Sequence, residues 1–219
     1  MISNLEIYST IPYLHQSEIN YCNQISLDCG LRAINFGPQF YYGYLENQDK
    51  TQFNLNLDRN YGTHLYDVRA LILQSYCQKF DLVRTINYVP IAKDVMDKNV
   101  GALRQDNATI LKVCHRYEKH PRIIVDINKF ANEHEIEQYV GLLLSDGISD
   151  VILTNTDRSR PLSDNIMILQ FLMSSLNLKM SYLGWLTPED LSDYAIFTDP
   201  RLTSVLTFPY GAYKILNLS

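Results

Sequence analysis

The chain has 219 residues, of which 46% are hydrophobic and 20% are charged, and its formal net charge is −5. The hydrophobic fraction excludes global disorder, and a chain of this length buries enough surface to fold without disulfides or a structural metal. The acidic balance argues against a free-standing nucleic-acid-binding domain, because such domains usually carry a basic field.

Residues 1–50 are rich in Tyr, Asn and Gln and show no strong hydrophobic period. We interpret them as an irregular N-terminal segment whose tyrosines supply a protein contact surface. Residues 1–16 lack the basic and apolar regions of a signal peptide, and no apolar run reaches the ~18 residues of a membrane span. The sequence therefore predicts a soluble, cytoplasmic protein that does not bind membranes.

From residue 51 the pattern becomes regular. Alternating apolar residues predict a strand over 51–58, and a stripe at helical spacing predicts a helix that begins near Leu65. A second strand is expected over 80–89, and Pro90 opens a mostly helical stretch that continues to His120. The order is strand, helix, strand, helix.

The same alternation continues to the end of the chain. Strands are expected over 122–127, 148–155 and 178–185, with helices over 132–147, 163–177 and 187–194. Asn132, Ser163 and Thr187 are suitable N-caps, Pro188 suits the first helical position, and Gly147 suits the residue after a helix end. Two strand-like runs, Val205–Phe208 and Tyr213–Leu218, are interpreted as an antiparallel end to the sheet.

This order predicts an α/β fold, a three-layer Rossmann-like sandwich over 51–219 with a mostly parallel sheet and an antiparallel C-terminal strand. About five βα units are too few for an eight-stranded barrel. Ligands of such a sheet bind beyond the carboxyl ends of its strands. The loops to inspect are therefore 58–64, 87–90, 126–132, 155–160 and 184–188.

One of these loops carries a motif. Gly62-Thr63-His64-Leu65, followed by Arg69, resembles the cofactor loop of viral cap 2′-O-methyltransferases, of the type found in the poxvirus poly(A) polymerase small subunit and in capping enzymes of double-stranded RNA viruses. The resemblance implies the methyltransferase-type Rossmann fold and an S-adenosylmethionine site. That site would use Asp58, Gly62, Thr63, His64 and Asn87.

The resemblance also implies which residues would carry out methyl transfer. A ribose hydroxyl must lose its proton as it attacks the sulfonium methyl group, and the family uses a lysine with a tuned pKa beside a carboxylate. Lys179 matches that lysine, and Asp157 is the nearest carboxylate. Arg158 and Arg160 lie in the matching basic loop, where they would contact RNA phosphates or an acidic partner protein.

Departures from the family pattern decide the functional hypothesis. Tyr61 stands where the cofactor loop expects a small residue, and Tyr213 stands where the last strand expects a glutamate. They favour a methyltransferase-like module that has lost its catalytic residues and binds no cofactor. Such a module would act as a structural or regulatory subunit with a protein partner in viral RNA capping. It would be found in the host cytoplasm or the virion. An active S-adenosylmethionine-dependent 2′-O-methyltransferase is the alternative.

A second alternative comes from another class. The segments 11–16 and Asp28-Cys29-Gly30-Leu31 resemble the start of papain-like peptidases of the bacteriocin-processing type, which implies a cysteine hydrolase with Cys29 as nucleophile. The four cysteines, Cys22, Cys29, Cys77 and Cys114, are scattered and have no zinc-type spacing. They are therefore expected to be free thiols, and no metal site is predicted.

Overall fold

The computed structural model describes residues 5–8, 33–36, 52–57, 66–79, 83–155 and 160–217. Eight parallel strands form a closed barrel in which each strand pairs with its sequence neighbours and the last pairs with the first. The strands are β1 (Leu5–Tyr8), β2 (Ala33–Phe36), β3 (Gln52–Asn56), β4 (Val83–Tyr88), β5 (His120–Asp126), β6 (Val151–Thr154), β7 (Met180–Gly184) and β8 (Leu202–Thr207).

Helices follow the strands in the described part of the chain. They are α1 (Tyr66–Lys79), α2 (Ala92–Met96), α3 (Val100–Arg116), α4 (Glu133–Ser145), α5 (Leu162–Ser175), α6 (Pro188–Asp193) and α7 (Pro209–Asn217), with short 3-10 helices at Ile127–Lys129 and Ala195–Thr198. Among these described helices, none is both long enough and apolar enough to cross a membrane.

The predicted Rossmann-like sandwich is wrong, because the sheet closes on itself. The sheet closes through the pairing of β1 with β8, at Leu5 with Val205 and Ile7 with Thr207. β1 and β2 both come from residues 1–50, so the barrel does not begin at residue 51. Those two strands complete the eight described strands that close the barrel.

The antiparallel C-terminal strand is also wrong. β8 runs parallel to both of its neighbours, and the run Tyr213–Leu218 falls largely within α7. Ala212 is fully buried and Ile215 and Leu216 pack against the core, so the apolar residues follow the i, i+3, i+4 spacing of a helix face. A run of this length is ambiguous between strand and helix until its packing is known.

Several helix ends follow the sequence closely. Asn132 caps α4 by accepting from the backbone N–H of Glu135 at 3.1 Å. Gly147 has φ of +91°, which glycine adopts without strain, and it ends α4 as expected. Thr187 and Asp190 form a capping box at the start of α6. Ser163 is not a cap, because α5 already begins at Leu162 after Pro161.

A close approach at the end of β8 yields a testable prediction. Replacing Gly211 with alanine is expected to lower the free energy of unfolding by about 1–3 kcal/mol. An added Cβ would lie 2.6 Å from Thr207 Oγ1 and 3.0 Å from the Leu186 carbonyl oxygen. Urea unfolding measures the change.

Gly141 in α4 provides the matched control for this substitution. An alanine Cβ there meets nothing within 4 Å, so the higher helix propensity of alanine should stabilise the protein by about 0.5–1 kcal/mol. Equal effects of Gly211→Ala and Gly141→Ala on stability would contradict the close packing of α7 on β8.

Candidate functional site

A buried ion pair lies at the centre of the barrel. Arg122 of β5 donates to both carboxylate oxygens of Glu6 of β1, at 3.0 and 2.9 Å. Asn35 of β2 and Asn54 of β3 donate to the same carboxylate at 3.1 and 3.2 Å. All four residues are buried, so the pair is shielded from water and depends on these hydrogen bonds.

The hydrogen bonds of Arg122 extend the network around the barrel. Its Nε donates to Asn87 Oδ1 at 2.8 Å, and its terminal nitrogens also reach Asn35 Oδ1 and Ser204 Oγ. Asn87 in turn donates to Asn35 and Asn56. Burial by itself raises the pKa of Glu6, but the charge and hydrogen bonds of Arg122 outweigh it and leave that pKa below its ordinary value. The network is a structural one, with every donor of Arg122 used.

An apolar layer separates this network from the carboxyl-terminal mouth of the barrel. Side chains alternate along a strand, so the residue two positions after each inward polar residue also points inward. Ile124 follows Arg122 in this way, and Leu206 follows Ser204. The layer is a single buried cluster: Tyr8, Val89, Ile124, Ile152, Leu183 and Leu206.

Two positions further on, the inward residues reach the mouth itself. Asp126 and Thr154 end β5 and β6, and both are buried. Trp185 follows β7, is 50% exposed, and stacks on Phe208 with ring centroids 4.1 Å apart. In barrels of this class the carboxyl-terminal face carries the active site, so these four residues define the candidate site.

A chain of amide side chains holds the β5 and β6 side of the mouth in place. The backbone N–H of Asn128 donates to Asp126 Oδ1 at 3.2 Å, and the Asn128 side chain donates to Asn155 Oδ1 at 2.5 Å. Asn155 then donates to Asn165 of α5 at 3.2 Å, and Asn165 donates to Tyr182 Oη at 3.3 Å. Burial raises the pKa of Tyr182 to about 12, so its hydroxyl stays protonated.

A small cavity at the end of β5 has one acidic and one basic residue in its lining. Asp126 and Lys129 both line it, and the remaining walls are mostly apolar, with Val95 and Phe130 among them. Its volume is about 10 Å³, close to the space of one water molecule. Of the lysine side chains that the structure describes, Lys119 and Lys129 are partly buried, and only Lys129 follows the carboxyl end of a strand.

The residues of the predicted methyltransferase site do not all fall within the described ranges. Asp58, Gly62, Thr63, His64, Asp157 and Arg158 lie outside them. Asn87 lies in the buried network of the barrel interior. Lys179 is exposed and directly precedes β7, which places it at the amino-terminal end of the barrel. Arg160 is partly buried, and its carbonyl accepts from Asn155 at 3.1 Å.

Of the four cysteines, two lie within the described residues and two lie outside them. Cys22 and Cys29 lie outside the described residues, so the proposed nucleophile is not seen. Cys77 and Cys114 are free and buried. Burial raises the pKa of Cys77 to about 11 and that of Cys114 to about 12, so neither is a thiolate nucleophile at neutral pH.

No protein-family profile matches this sequence, and no curated protein matches it. Solved structures do match. One titled "QR15, an Aldolase" is 14% identical, has a TM-score of 0.79, and covers 99% of this chain and 93% of its own. The tetrameric deoxyribose phosphate aldolase from Aeropyrum pernix is 14% identical, with a TM-score of 0.78 and coverage of 99% and 89%. The chain shares the eight-stranded parallel barrel fold of these structures.

A third matching structure shows that the likeness concerns the fold and does not indicate one activity. The 3-keto-L-gulonate-6-phosphate decarboxylase from Vibrio cholerae is 13% identical, has a TM-score of 0.58, and covers 98% of this chain and 96% of its own. At such identities the likeness concerns the fold, which hosts several chemistries. It nevertheless overturns the resemblance to viral cap methyltransferases and the capping function, active or degenerate, that followed from it.

The loops predicted from the sequence and the residues around this cavity overlap in part. The loops 126–132 and 155–160 were selected because strand ends hold ligands, and they contain Asp126, Asn128, Lys129 and Asn155. None of these was chosen as a functional residue. The signal available was the segment Asp126-Ile127-Asn128-Lys129, in which a carboxylate and a lysine follow directly on a buried strand.

Proposed function

We propose that this chain is an aldolase-type lyase, with Lys129 as the amine and Asp126 as the proton acceptor and donor. The observation that carries the proposal is the cavity that these two side chains share at the carboxyl end of β5. Two further findings support it: the full-length fold match to proteins named as aldolases, and the location of active sites at this face of the barrel.

The chemistry needs both groups. The Lys129 amine adds to the carbonyl carbon of a hydroxy-carbonyl substrate, and loss of water with uptake of one proton from solvent leaves a protonated imine; that proton returns to solvent in the final hydrolysis. The carbon–carbon bond then breaks. Its electron pair moves into the imine to form an enamine, while Asp126 takes the proton of the departing hydroxyl as that carbon becomes an aldehyde. Asp126 returns the proton to the enamine carbon, and water releases the second carbonyl product and restores Lys129.

The site geometry suits a small substrate. A cavity of about 10 Å³ holds a carbonyl group and not a whole sugar, so in this proposal the rest of the substrate extends beyond it. The hydrogen bond from Asn128 orients the Asp126 carboxylate.

Trapping with borohydride tests the proposal. The protein is incubated with acetaldehyde and sodium borohydride, and the modified lysine is located by mass spectrometry. The test substrate is 2-deoxyribose 5-phosphate, because the names of the structural neighbours give a deoxyribose phosphate, and its retro-aldol cleavage is measured as the release of acetaldehyde. We expect a two-carbon adduct on Lys129, and at least ~10³-fold slower cleavage in Lys129→Arg.

The controls distinguish the assignment of Lys129 as the reactive amine from the proposed aldolase activity itself. Lys112→Arg, an exposed lysine of α3, should leave trapping and cleavage unchanged. If the adduct forms on a different lysine and the substrate is still cleaved, the aldolase activity is supported but the assignment of Lys129 is rejected. Absence of both adduct and cleavage, with this substrate and with simple hydroxy-aldehydes, would reject the aldolase proposal.

A further inference from the structure

The turn that follows β5 carries both groups of the proposed reaction. Asp126 ends β5, and Ile127–Lys129 forms the short 3-10 helix that comes next. Asp126 caps this helix, because its Oδ1 accepts from the backbone N–H of Asn128 at 3.2 Å. A 3-10 helix of three residues has little stability of its own, so contacts from outside must fix it. The position of the Asp126 carboxylate therefore depends on how Asn128 is fixed.

Asn155, the residue after β6, fixes Asn128 from outside the turn. The Asn128 side-chain amide donates to Asn155 Oδ1 at 2.5 Å, and Asn155 is only 7% exposed. The Nδ2 group of Asn155 donates to the Arg160 carbonyl at 3.1 Å and to Asn165 Oδ1 at 3.2 Å. Both donor positions and the acceptor oxygen of this amide are thus in use.

The Arg160 carbonyl determines which way the Asn155 amide points. A backbone carbonyl only accepts hydrogen bonds, so the nitrogen of Asn155 must face Arg160 and its oxygen must face Asn128. The contact is therefore directional, with Asn155 as the acceptor and Asn128 as the donor. Through it, the end of β6 and the start of α5 determine the position of the turn after β5.

We propose that Asn155 is a positioning residue for the aldolase reaction. Acting through Asn128, it keeps the Asp126 carboxylate where it can exchange a proton with the substrate. This inference rests on the proposed function and adds a residue to it. Because the hydrogen bond from Asn128 reaches Asp126, the effect of Asn155 should fall on proton transfer. Imine formation at Lys129 should depend on it much less.

Two assays with acetaldehyde separate these steps. Borohydride trapping measures how fast the imine forms on Lys129. Deuteration of the acetaldehyde methyl group in deuterium oxide, followed by NMR, measures proton transfer to and from the enamine carbon, which the proposal assigns to Asp126. Asn155→Ala should slow methyl deuteration at least about tenfold and slow trapping less than about threefold.

A double-mutant cycle tests whether Asn155 acts through Asn128. Asn128→Ala removes the same hydrogen bond from the other side, so it should slow methyl deuteration to a similar extent. Asn155→Ala should then cause no further loss in that background. Asn128 is only partly buried, so its variant keeps the test available if Asn155→Ala does not fold.

Asn107→Ala provides the matched control. Asn107 is a buried amide of α3 that accepts from the Tyr88 hydroxyl at 3.2 Å and donates to Asp146 at 2.9 Å. Its loss should destabilise the protein without slowing either assay. Slower methyl deuteration in Asn107→Ala, to the extent seen in Asn155→Ala, would show that any buried amide has this effect and would overturn the proposal.

The protection of the Asn128 backbone amide against hydrogen exchange needs no activity. It should fall about tenfold in Asn155→Ala and stay unchanged in Asn107→Ala. If the wild type shows neither trapping nor methyl deuteration, the aldolase proposal is rejected, whereas a loss of this protection would still support the contact between Asn155 and the turn. Unchanged protection, additive losses in the cycle, or equal losses of trapping and deuteration would each overturn the role of Asn155.

Discussion

Replacing Arg122 with methionine is expected to lower the free energy of unfolding by about 3–5 kcal/mol, or roughly 10 °C in Tm. The substitution leaves Glu6, which is 2% exposed, without its bidentate partner in the centre of the barrel. It also removes the donor that orients Asn87. Urea unfolding followed by circular dichroism measures the loss.

The double variant Glu6→Gln with Arg122→Met is the control for this substitution. It removes the unpaired charge, so it should be more stable than Arg122→Met alone. A double variant no more stable than the single one would show that cavity formation, and not the buried charge, dominates.

The pH dependence of the same pair has a definite sign. Because Arg122 lowers the pKa of Glu6 in the folded protein, the pair contributes stability above the pKa of the unfolded glutamate. That contribution is lost as the pH falls through the lower pKa of the folded state. In Arg122→Met the charge that opposed burial is gone and only neutral hydrogen bonds to Glu6 remain, so its pKa rises. The destabilisation should therefore be smaller at about pH 5 than at about pH 7. A difference that grows on acidification would contradict the assignment.

Replacing Arg69 with methionine is also expected to lower the free energy of unfolding by about 3–5 kcal/mol. Arg69 of α1 is fully buried, forms an ion pair with Asp106 of α3, and donates to the Val89 carbonyl at 2.5 Å. Its guanidinium also lies 5.6 Å from the ring centroid of Tyr88. The side chain therefore joins two helices to the end of β4, and without it Asp106 is a buried charge that has lost its cation.

Arg104 provides the matched control on α3. It pairs with Asp146 at 3.5 Å, but its side chain is 57% exposed. Arg104→Met should therefore change the free energy of unfolding by less than about 1 kcal/mol. Similar losses in Arg69→Met and Arg104→Met would show that burial does not determine the importance of these pairs.

The alternation of strands and helices from residue 51 onward could be predicted because each element is coded locally. α4 is an example: its cap at Asn132, its buried stripe and its end at Gly147 are all within one stretch of sequence. The rule that ligands lie beyond the carboxyl ends of strands holds for an open sheet and for a barrel alike. The loops containing Asp126 and Asn155 are therefore the places to look for a ligand under either fold.

Residues 1–50 could not be interpreted in the same way. β1 and β2 have four residues each, and their inward positions include Glu6 and Asn35, which are polar. Buried strands are normally recognised by apolar residues, so strands that place a carboxylate and an amide inside the barrel resemble loops. Tyr8 was assigned to a contact arm, yet it is buried in the apolar layer of the barrel.

By itself, the sequence determined the alternation of strands and helices between residues 51 and 194 and several caps, because these depend on neighbours within a few residues. Only the tertiary structure decided that the sheet closes, since closure is a pairing of Leu5 with Val205 across almost the whole chain. It also decided which polar residues are structural and which are candidates for chemistry. Arg122 is saturated by partners from four other strands, β1, β2, β4 and β8, which only the closed barrel brings together. Asp126 and Lys129 line one cavity at the carboxyl end of β5.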